Sequence, residues 1–224
     1  MSPLSPLVVV PAFNAGKSIG RLIPRIAKYV PRESILVIDD GSSDDSGEVA
    51  RKSAAAVVTH KVNKGKGAAL KTGFARAITE GFDSVITMDA DLQHDPGCIP
   101  GFISLGRSGR YDMIVGTRKR TDDMPRARNF ANATSSAIVS FFANALIRDS
   151  QSGYRWISTR LLRRIELSGD RYDLESEILI KAGRAGMRIG ELEVPTIYDG
   201  SESFINPLVD GFRFVKLLQK SLLW

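Results

Sequence analysis

The sequence predicts an α/β domain in which a mostly parallel β-sheet is flanked by helices on both sides. Three observations predict it: short apolar runs rich in Val and Ile recur along the first half of the chain, helical segments separate them, and a polar cluster follows each run. Continuous apolar runs are typical of strands buried on both faces, as in parallel sheets covered by helices. Ligands of such sheets bind at the carboxyl ends of the strands, where the polar clusters are expected.

The predicted strands are, with few exceptions, short runs of β-branched and other apolar residues. In chain order they are Leu7–Val10, Ile35–Ile38, Ala55–Thr59, Ser84–Met88, Met113–Val115 and Arg188–Val194. The segments between and after them are predicted as helices, because apolar residues recur at helical spacing in most of them. These are Lys17–Tyr29, the short polar segment Asp45–Lys52, Gly67–Ile78, a helix that begins near Pro96, Arg126–Ile147 and Tyr172–Ala185.

The last segment, Pro207–Leu223, is predicted as an amphipathic helix appended to a domain formed by residues 1–206. Its apolar positions are Leu208, Phe212, Val215, Leu218 and Leu222, its basic positions are Arg213, Lys216 and Lys220, and the chain as given ends in Trp224. A helix of this kind packs on its own domain or lies at a membrane interface. The tryptophan and the basic side favour the interface, so we divide the chain into 1–206 and 207–224.

Composition agrees with a globular protein and narrows its class. The chain has 224 residues, 43% hydrophobic and 25% charged, which excludes a disordered or fibrous chain. The net charge of +6 is compatible with an anionic partner, whether nucleic acid, a phosphorylated small molecule or an acidic membrane surface. Cys98 is the single cysteine, which excludes an intrachain disulfide and a zinc site with several thiolates.

The amino-terminal segment does not resemble a signal peptide, because it lacks a basic region and is interrupted by Pro3, Pro6 and Pro11. The longest interior apolar stretch, Ala137–Ile147, is well short of the about 18 residues of a membrane-spanning helix. We therefore expect a cytoplasmic protein that does not itself cross a membrane.

Two carboxylates, Asp89 and Asp91, directly follow the fourth predicted strand. In a tight turn both can face one hard cation, and oxygen ligands suit Mg²⁺ or Mn²⁺, which keep waters and phosphate oxygens as their other ligands. Gln93 offers a further, neutral oxygen. The alternative is a polar turn in which Asp91 caps the helix that begins near Pro96. The position after a strand of a parallel sheet favours the metal site.

Two other clusters have the same placement. Asp39 and Asp40 can accept hydrogen bonds from a nucleobase or a ribose, or they cap the helix that follows. Asn63–Gly67 opens a helix whose N–H groups, together with Lys64 and Lys66, favour an anion, or it forms a glycine-rich turn with solvated lysines.

Two competing classes of function lack their defining signals. A P-loop is suggested by Gly16-Lys17-Ser18 after a strand, but its pattern requires a glycine at position 11, where Pro11 has no N–H to offer a phosphate. A nucleic-acid-binding module would explain the net charge, but the aromatic residues do not alternate with basic ones as stacking platforms do. We expect no nucleic-acid partner.

Six motifs in chain order resemble the family 2 glycosyltransferases of the GT-A (Rossmann-like) fold, and more narrowly the dolichyl- or polyprenyl-phosphate mannosyl- and glucosyltransferases. They are VVVPAFN, VIDDGSSD, NKGKGAAL, MDADLQHDP, VGTR and DSQSGYR. The resemblance implies metal-dependent, inverting transfer of a mannose- or glucose-type sugar from a GDP- or UDP-linked donor to a polyprenyl or dolichyl phosphate. It also implies a position at the cytoplasmic face of a membrane. There are two alternatives to this activity: transfer of the sugar to a hydroxyl acceptor, or a member of the family that has no catalytic activity.

The resemblance further implies roles for individual residues. The donor pocket would be formed by Pro11, Phe13, Ala15, Ile38, Asp39, Asp40, Lys66, Gly67, Asp89 and Ala90, with Asp40 rather than Asp39 as the direct partner of the base. The metal, Mg²⁺ or Mn²⁺, would be held by Asp89, Asp91 and Gln93. The catalytic set would be Asp91, Arg118, Arg128 and Asp149, of which Asp149 lies in the segment that closes the acceptor side with Gln151 and Gly153.

The acceptor decides what the catalytic set must do. A lipid phosphate is already ionised and needs only cations to position it, a task that suits Arg118 and Arg128. A hydroxyl acceptor needs a carboxylate base, for which Asp149 is the candidate.

The chain departs from its closest family pattern at two places. Phe13 and Ala15 replace a tyrosine and a glutamate, and Tyr198–Phe204 replaces a segment with basic residues. The first change removes groups that contact the nucleoside, and the second removes cations from a loop that holds the diphosphate.

Overall fold

A single sheet runs through the computed structural model, which describes residues 6–53, 56–118, 126–195, 197 and 207–224, with backbone only for 126–130 and 207–210. Its strands are β1 (Leu7–Ala12), β2 (Ile35–Asp39), β3 (Ala56–Thr59), β4 (Ser84–Thr87), β5 (Met113–Arg118), β6 (Arg155–Ser158) and β7 (Ile189–Val194). Within the described residues the strand order is β3-β2-β1-β4-β6-β5-β7. All neighbours are parallel except β6, which is antiparallel to both β4 and β5.

Helices cover both faces of this sheet. They are α1 (Gly16–Ile26), α2 (Ser46–Lys52), α3 (Lys66–Thr79), α4 (Ile99–Arg107), α5 (Arg126–Ala143), α6 (Thr159–Arg164), α7 (Asp173–Arg184) and α8 (Pro207–Ser221), with 3₁₀ turns at Arg32–Ser34 and Pro96–Cys98. One core cluster contains side chains of α1, α2 and α4, and the other contains side chains of α3 and α5 to α8. The predicted fold class, a mostly parallel sheet flanked by helices, is confirmed.

Strand β1 shows why the apolar runs are continuous. Leu7 and Val9 belong to one core cluster, whereas Val8 and Val10 belong to the other, because successive side chains of a strand point to opposite faces. Both faces of the strand are therefore buried under helices. The same expectation is wrong for the run Ala55–Thr59, since β3 is the edge strand and Ala56 and Thr59 are exposed.

The order of strands places a crevice at the centre of the sheet. From β1 the chain adds β2 and β3 on one side, whereas β4 lies on the other side of β1. In sheets of this type a ligand binds outside the carboxyl ends of the strands at the point where the order reverses. That point lies between the ends of β1 and β4, next to Asp89 and Asp91.

Two elements, β6 and α6, were not predicted. β6 has four residues and begins with Arg155, so it lacks the apolar run that marks the other strands.

The predicted helix Arg126–Ile147 ends instead at Ala143, because Asn144 has a φ of 51° and leaves the helical conformation. The hydroxyl of Ser140 then accepts the Ile147 N–H at 3.0 Å and donates to its carbonyl at 3.1 Å.

Helix α8 uses a different face for packing than the one predicted. Leu217 and Ser221 are buried, and Leu217 joins the core cluster of α7. Of the predicted apolar face, Leu218 packs partly against this core, whereas other members remain exposed. The side chain of Leu208 lies outside the described residues. No helix in the described part of the chain combines the length and apolarity that a membrane span requires.

Candidate active site

Polar segments from neighbouring strands are joined at the crevice. After β1, the Asn14 carboxamide accepts a hydrogen bond from the Ser43 N–H at 2.9 Å. After β2, the Asp40 carboxylate accepts one from the Gly65 N–H at 2.7 Å. The prediction that the clusters after the strands meet at one edge of the sheet is confirmed.

A lysine neutralises the first carboxylate of the pair after β4. The Lys66 ammonium lies 2.6 Å from Asp89 Oδ1 and 3.2 Å from Glu175 Oε1. Burial alone would lower the pKa of Lys66, but the two carboxylates outweigh it and the pKa is raised. Burial likewise opposes ionisation of Asp89, but the Lys66 charge outweighs it and the pKa of Asp89 is lowered. Both groups are therefore charged at neutral pH.

Glu175 is a site residue that the sequence analysis missed. It is the third residue of α7, far along the chain from Lys66 and Asp89, and it is 8% exposed. No motif marks it, since its only local signal is an acidic position in the first turn of a helix. Only the packing of α7 beside α3 brings it to Lys66.

The second carboxylate, Asp91, is oriented by its own turn. Its Oδ1 accepts the Gln93 N–H at 2.9 Å. The alternative in which Asp91 caps the next helix is wrong, because Asp95 is the N-cap of the 3₁₀ turn and accepts the Gly97 N–H at 3.0 Å. Asp95, not Asp91, is therefore the N-cap of this turn.

The chemistry of the donor set fits a divalent cation that shares its ligands with a phosphate. Among the described residues, no group of three or more His, Cys, Asp or Glu side chains is arranged to hold a metal by itself. Mg²⁺ typically needs only one or two carboxylates when substrate phosphates and waters supply the remaining oxygens. Asp89 and Asp91 meet that requirement. The contribution of the Gln93 side chain stays a prediction.

His94 supports the backbone of Asp89. Its Nδ1 accepts the Asp89 N–H at 3.3 Å, and its ring stacks on Tyr154 with centroids 5.0 Å apart. Burial lowers the pKa of His94 to about 4, so the imidazole is neutral at pH 7 and can accept this hydrogen bond.

Asp149 and Arg118 form a two-bond ion pair. Arg118 Nε donates to Asp149 Oδ2 at 2.8 Å, and Arg118 Nη2 donates to Oδ1 at 3.0 Å. Burial raises the pKa of Asp149, but the hydrogen bonds and charge of Arg118 outweigh it, so the pKa is lowered. A carboxylate with a lowered pKa and both oxygens on a guanidinium is a poor proton acceptor, which argues against Asp149 as a general base.

Arg155 fixes the loop that carries Asp149. Its guanidinium is 1% exposed and donates to the carbonyls of Ser150 at 2.8 Å, Ser152 at 2.7 Å and Glu175 at 2.6 Å. One buried cation therefore joins the loop to the start of α7. The motif DSQSGYR contains this arginine, but nothing in the sequence pattern predicts its role.

Several predicted donor residues are buried. Ile38 and Ala90 are packed in the two cores, at 0% and 8% exposure. A side chain at Gly67 would meet the Asp170 carbonyl carbon at 2.6 Å and the Arg171 backbone N at 2.8 Å, so this glycine permits the close approach of that segment. The assignment of these three residues to the donor pocket stays a prediction.

The residues at the end of β1 and the two aspartates at the end of β2 differ in their exposure to solvent. Phe13 is 41% exposed at the crevice, whereas Pro11 is buried and Ala15 is partly buried. Asp39 Oδ1 accepts the Ser42 N–H at 3.1 Å, and the Asp40 side chain is 4% exposed. The expected contact of Asp40 with a base stays a prediction, and its oxygens already hold the turn before α3.

Two parts of the predicted site lie outside the described residues: the side chain of Arg128 and the segment Tyr198–Phe204. Neither enters the geometry above.

The sequence and the fold of this chain are both similar to those of known proteins. A family model described as glycosyl transferase family 2 matches residues 7–167. The chain is similar to a UDP-N-acetylglucosamine–dolichyl-phosphate N-acetylglucosaminyltransferase of Methanococcus voltae, with 29% identity over 85% of each chain. It is also similar to a dolichyl-phosphate hexose transferase of Haloferax volcanii, with 28% identity over 95% of this chain and 92% of that one.

Among solved structures, the fold is similar to that of glucosyl-3-phosphoglycerate synthase from Mycobacterium tuberculosis in complex with Mn²⁺, UDP-glucose and phosphoglyceric acid. The TM-score is 0.78 at 20% identity, over 97% of this chain and 79% of that one. At this identity the likeness concerns the fold, which is the GT-A arrangement predicted from the motifs.

Proposed function

This chain belongs to the family 2 glycosyltransferases, and from that premise we propose that it transfers a hexose from a nucleoside-diphosphate sugar to a polyprenyl phosphate. The observation that carries the proposal is the pair Asp89 and Asp91 at the central crevice, with the Lys66 ammonium beside it. Two relatives are named for transfer to dolichyl phosphate, which supports a lipid phosphate as acceptor.

The donor diphosphate would be held by a divalent cation, Mg²⁺ or Mn²⁺, on Asp89 and Asp91. Such a cation neutralises the charge that develops on the leaving nucleotide. The chain itself orients these ligands: the Gln93 N–H fixes the Asp91 carboxylate, and neutral His94 accepts the Asp89 N–H. Lys66, whose ammonium lies 2.6 Å from Asp89, would add a positive charge for the donor diphosphate.

The state of Asp149 favours a phosphate acceptor over a hydroxyl acceptor. A hydroxyl must lose a proton to a base, but the carboxylate of Asp149 is engaged by Arg118 through two hydrogen bonds. A phosphate monoester is already ionised and requires only orientation by cations. We assign that task to Arg118, held in place by Asp149, and to Arg128. A single displacement of this kind inverts the anomeric carbon.

Binding of donor nucleotides tests the proposal directly. We expect UDP-sugars or GDP-sugars to raise the melting temperature only when Mn²⁺ or Mg²⁺ is present, because a ligand at 100 times its Kd stabilises the folded state by about 2.7 kcal/mol. The substitution Asp91→Asn should abolish the metal-dependent shift and the transfer of sugar to polyprenyl phosphate.

A matched control is Asp95→Asn, which removes a carboxylate from the same loop. The Asp95 carboxylate caps the 3₁₀ turn and pairs with Arg25. It should keep the shift. Metal-dependent nucleotide binding and transfer that survive Asp91→Asn would contradict the proposal.

We further propose that the enzyme meets its lipid acceptor at the cytoplasmic surface of a membrane, through one apolar face. Arg184 donates to the carbonyls of Phe142 in α5 and Ser221 in α8, so its side chain links the two helices. Large apolar side chains are exposed on these helices and just after them: Phe141 at 81%, Leu146 at 75%, Phe212 at 71%, Val215 at 52%, Leu222 at 70% and Leu223 at 89%. The basic Lys216 and Lys220 on α8 complement anionic lipid headgroups.

Liposome sedimentation tests this face. The double substitution Phe212→Ser and Leu222→Ser should release the protein from vesicles that contain anionic lipid, without lowering its melting temperature. The control Val62→Ser removes an apolar side chain of 63% exposure elsewhere on the surface and should leave sedimentation unchanged. Equal sedimentation of the double variant and the wild type would exclude α8 as the membrane contact.

A further inference from the structure

A buried histidine, His60, lies next to Asp40 and has no role in the proposed chemistry. His60 follows β3, its side chain is 7% exposed, and its Nδ1 lies 2.7 Å from Asp40 Oδ1. Because a carboxylate only accepts hydrogen bonds, the proton of this bond is on Nδ1. The other ring nitrogen, Nε2, lies 3.0 Å from Thr72 Oγ1 in α3. The ring is thus held at both nitrogens, with one edge against Asp40.

Asp40 in turn holds the backbone that precedes α3. Its Oδ1 accepts the Lys64 N–H at 3.0 Å and its Oδ2 accepts the Gly65 N–H at 2.7 Å. Gly65 has a φ of 102°, a conformation that favours glycine, and α3 begins at the next residue, Lys66. The carboxylate therefore anchors the turn from which the Lys66 side chain reaches Asp89.

We infer that His60 is a positioning residue of the donor site, acting through Asp40 and the turn at 64–65 to direct the Lys66 ammonium at Asp89. The three steps are short: ring to carboxylate, carboxylate to two backbone amides, and the start of the helix to the ammonium. Without the ring, the Asp40 carboxylate can rotate and the turn it anchors loosens. Small displacements of a positioned group weaken binding and catalysis strongly, so the effect should be visible at the donor.

The inference rests on the proposed function, since the site that Lys66 serves is the proposed site of the donor diphosphate. It gives Asp40 a second task besides the predicted contact with the base. The sequence offers no signal for His60, because it lies between two motifs and belongs to neither.

The first experiment compares the variants His60→Leu and His60→Asn by calorimetric titration with UDP and with GDP, each in the presence of Mn²⁺. His60→Leu removes the donor to Asp40 and should weaken binding of the preferred nucleotide at least tenfold. Asparagine places an N–H donor at the same δ position, so His60→Asn should bind within about threefold of wild type. Wild-type affinity of folded His60→Leu would overturn the inference.

A destabilised control separates positioning from loss of stability. Leu162→Ala removes a side chain of 7% exposure from the core beneath α6, away from the turn. Its melting temperature should fall, but its affinity for the nucleotide should match wild type at a temperature where the protein is folded. A His60→Leu variant that behaves like Leu162→Ala would show a merely structural role.

Amide hydrogen exchange keeps the inference testable if the wild type binds neither nucleotide, an outcome that would count against the proposed function alone. Exchange in peptides that contain the Lys64 and Gly65 amides should be at least tenfold faster in His60→Leu. It should stay near wild type in His60→Asn and in Leu162→Ala. Unchanged exchange in His60→Leu would refute the positioning role independently of any ligand.

Discussion

Two carboxylates of the site, Asp89 and Asp149, are each paired with a cation from a different part of the chain. Lys66 from α3 lies on Asp89, and Arg118 from β5 lies on Asp149. In both pairs burial alone would raise the pKa of the acid, and the charge of the partner outweighs it. The cost of leaving a buried charge unpaired explains why single substitutions here should act beyond their own atoms.

A double-substitution cycle on Arg118 and Asp149 distinguishes a positioning pair from a catalytic base. If Asp149 only orients Arg118, then Arg118→Ala, Asp149→Asn and the double variant should lower kcat/KM to similar levels, with a coupling energy of about 1–3 kcal/mol. If Asp149 were a general base, Asp149→Asn would cost a further factor of about 10²–10⁴ in the Arg118→Ala background. Transfer assays on the four proteins give the answer.

His94 makes stability depend on pH in a defined window. Its pKa is 6.5 in a model compound and about 4 in the folded protein, because burial disfavours the imidazolium. Between these values the unfolded chain takes up a proton that the folded protein refuses, so stability is present above pH 6.5 and declines as the pH falls toward 4. We expect a loss of about 1–3 kcal/mol between pH 7.5 and pH 5, measured by urea unfolding of the metal-free protein.

The matched variant for that window is His94→Asn, which keeps an acceptor for the Asp89 N–H but does not titrate. Its stability should change less over the same range. An identical pH dependence of variant and wild type would assign the effect to other groups.

At the scale of elements, the least predictable strand organises the site. β6 inserts antiparallel between β4 and β5, and its first residue, Arg155, ties the loop after α5 to the start of α7. Asp149 and Glu175 are thereby placed against Arg118 and Lys66. The six motifs lie on separate elements, and β6 is the element that determines the distance between the last of them and the others.

Removing the Arg155 guanidinium should loosen this junction. Arg155→Met leaves three buried carbonyls without their donor, and each unpaired acceptor costs about 1–3 kcal/mol. We expect a loss of at least about 3 kcal/mol in the free energy of unfolding, measured with urea. Arg164→Met, on the exposed side of α6, is the control and should stay within about 0.5 kcal/mol of wild type. Equal stability of the two variants would show that the carbonyls do not depend on Arg155.

At the scale of the whole molecule, α8 is joined to the core on the α7 side of the sheet. Leu217 and Ser221 are buried, Arg184 binds the Ser221 carbonyl, and the Lys181 ammonium lies 4.2 Å from the centre of the Trp224 ring. These contacts favour a helix that unfolds with the domain, although its outer face is apolar and exposed. The division into 1–206 and 207–224 describes the sequence pattern and stays a prediction.

The two tryptophans of the chain test whether α8 belongs to the cooperative unit. Trp156 lies in the core on the α4 side, and Trp224 lies at the end of α8. In the single-tryptophan variants Trp224→Phe and Trp156→Phe, fluorescence should report transitions that each coincide with loss of helical circular dichroism, as two-state unfolding requires. A Trp224 transition well before the helical one would show that α8 detaches first.

The sequence alone was enough to predict the fold class, six of the seven strands in the described part of the chain, the family and a carboxylate pair after β4. It did so because burial on two faces leaves continuous apolar runs, and because the carboxyl ends of parallel strands share one edge. Both are local patterns that can be recognised directly in the amino-acid sequence. The same patterns did not predict β6, because its four residues include a buried arginine and do not form an apolar run.

Which charged residues meet depends on the tertiary structure. The contacts of Lys66 with Glu175, of Arg118 with Asp149 and of His60 with Asp40 join residues 20 to 109 positions apart. Such distances depend on strand order and helix packing, which periodicity does not encode. The pairing of Asp149 with Arg118 argues against the alternative in which Asp149 is the base for a hydroxyl acceptor, and the contacts of Asp40 show that it holds the turn before Lys66. The sequence specifies which residues are charged, but the fold determines which partner each of them meets, and that partner sets the chemistry of the residue.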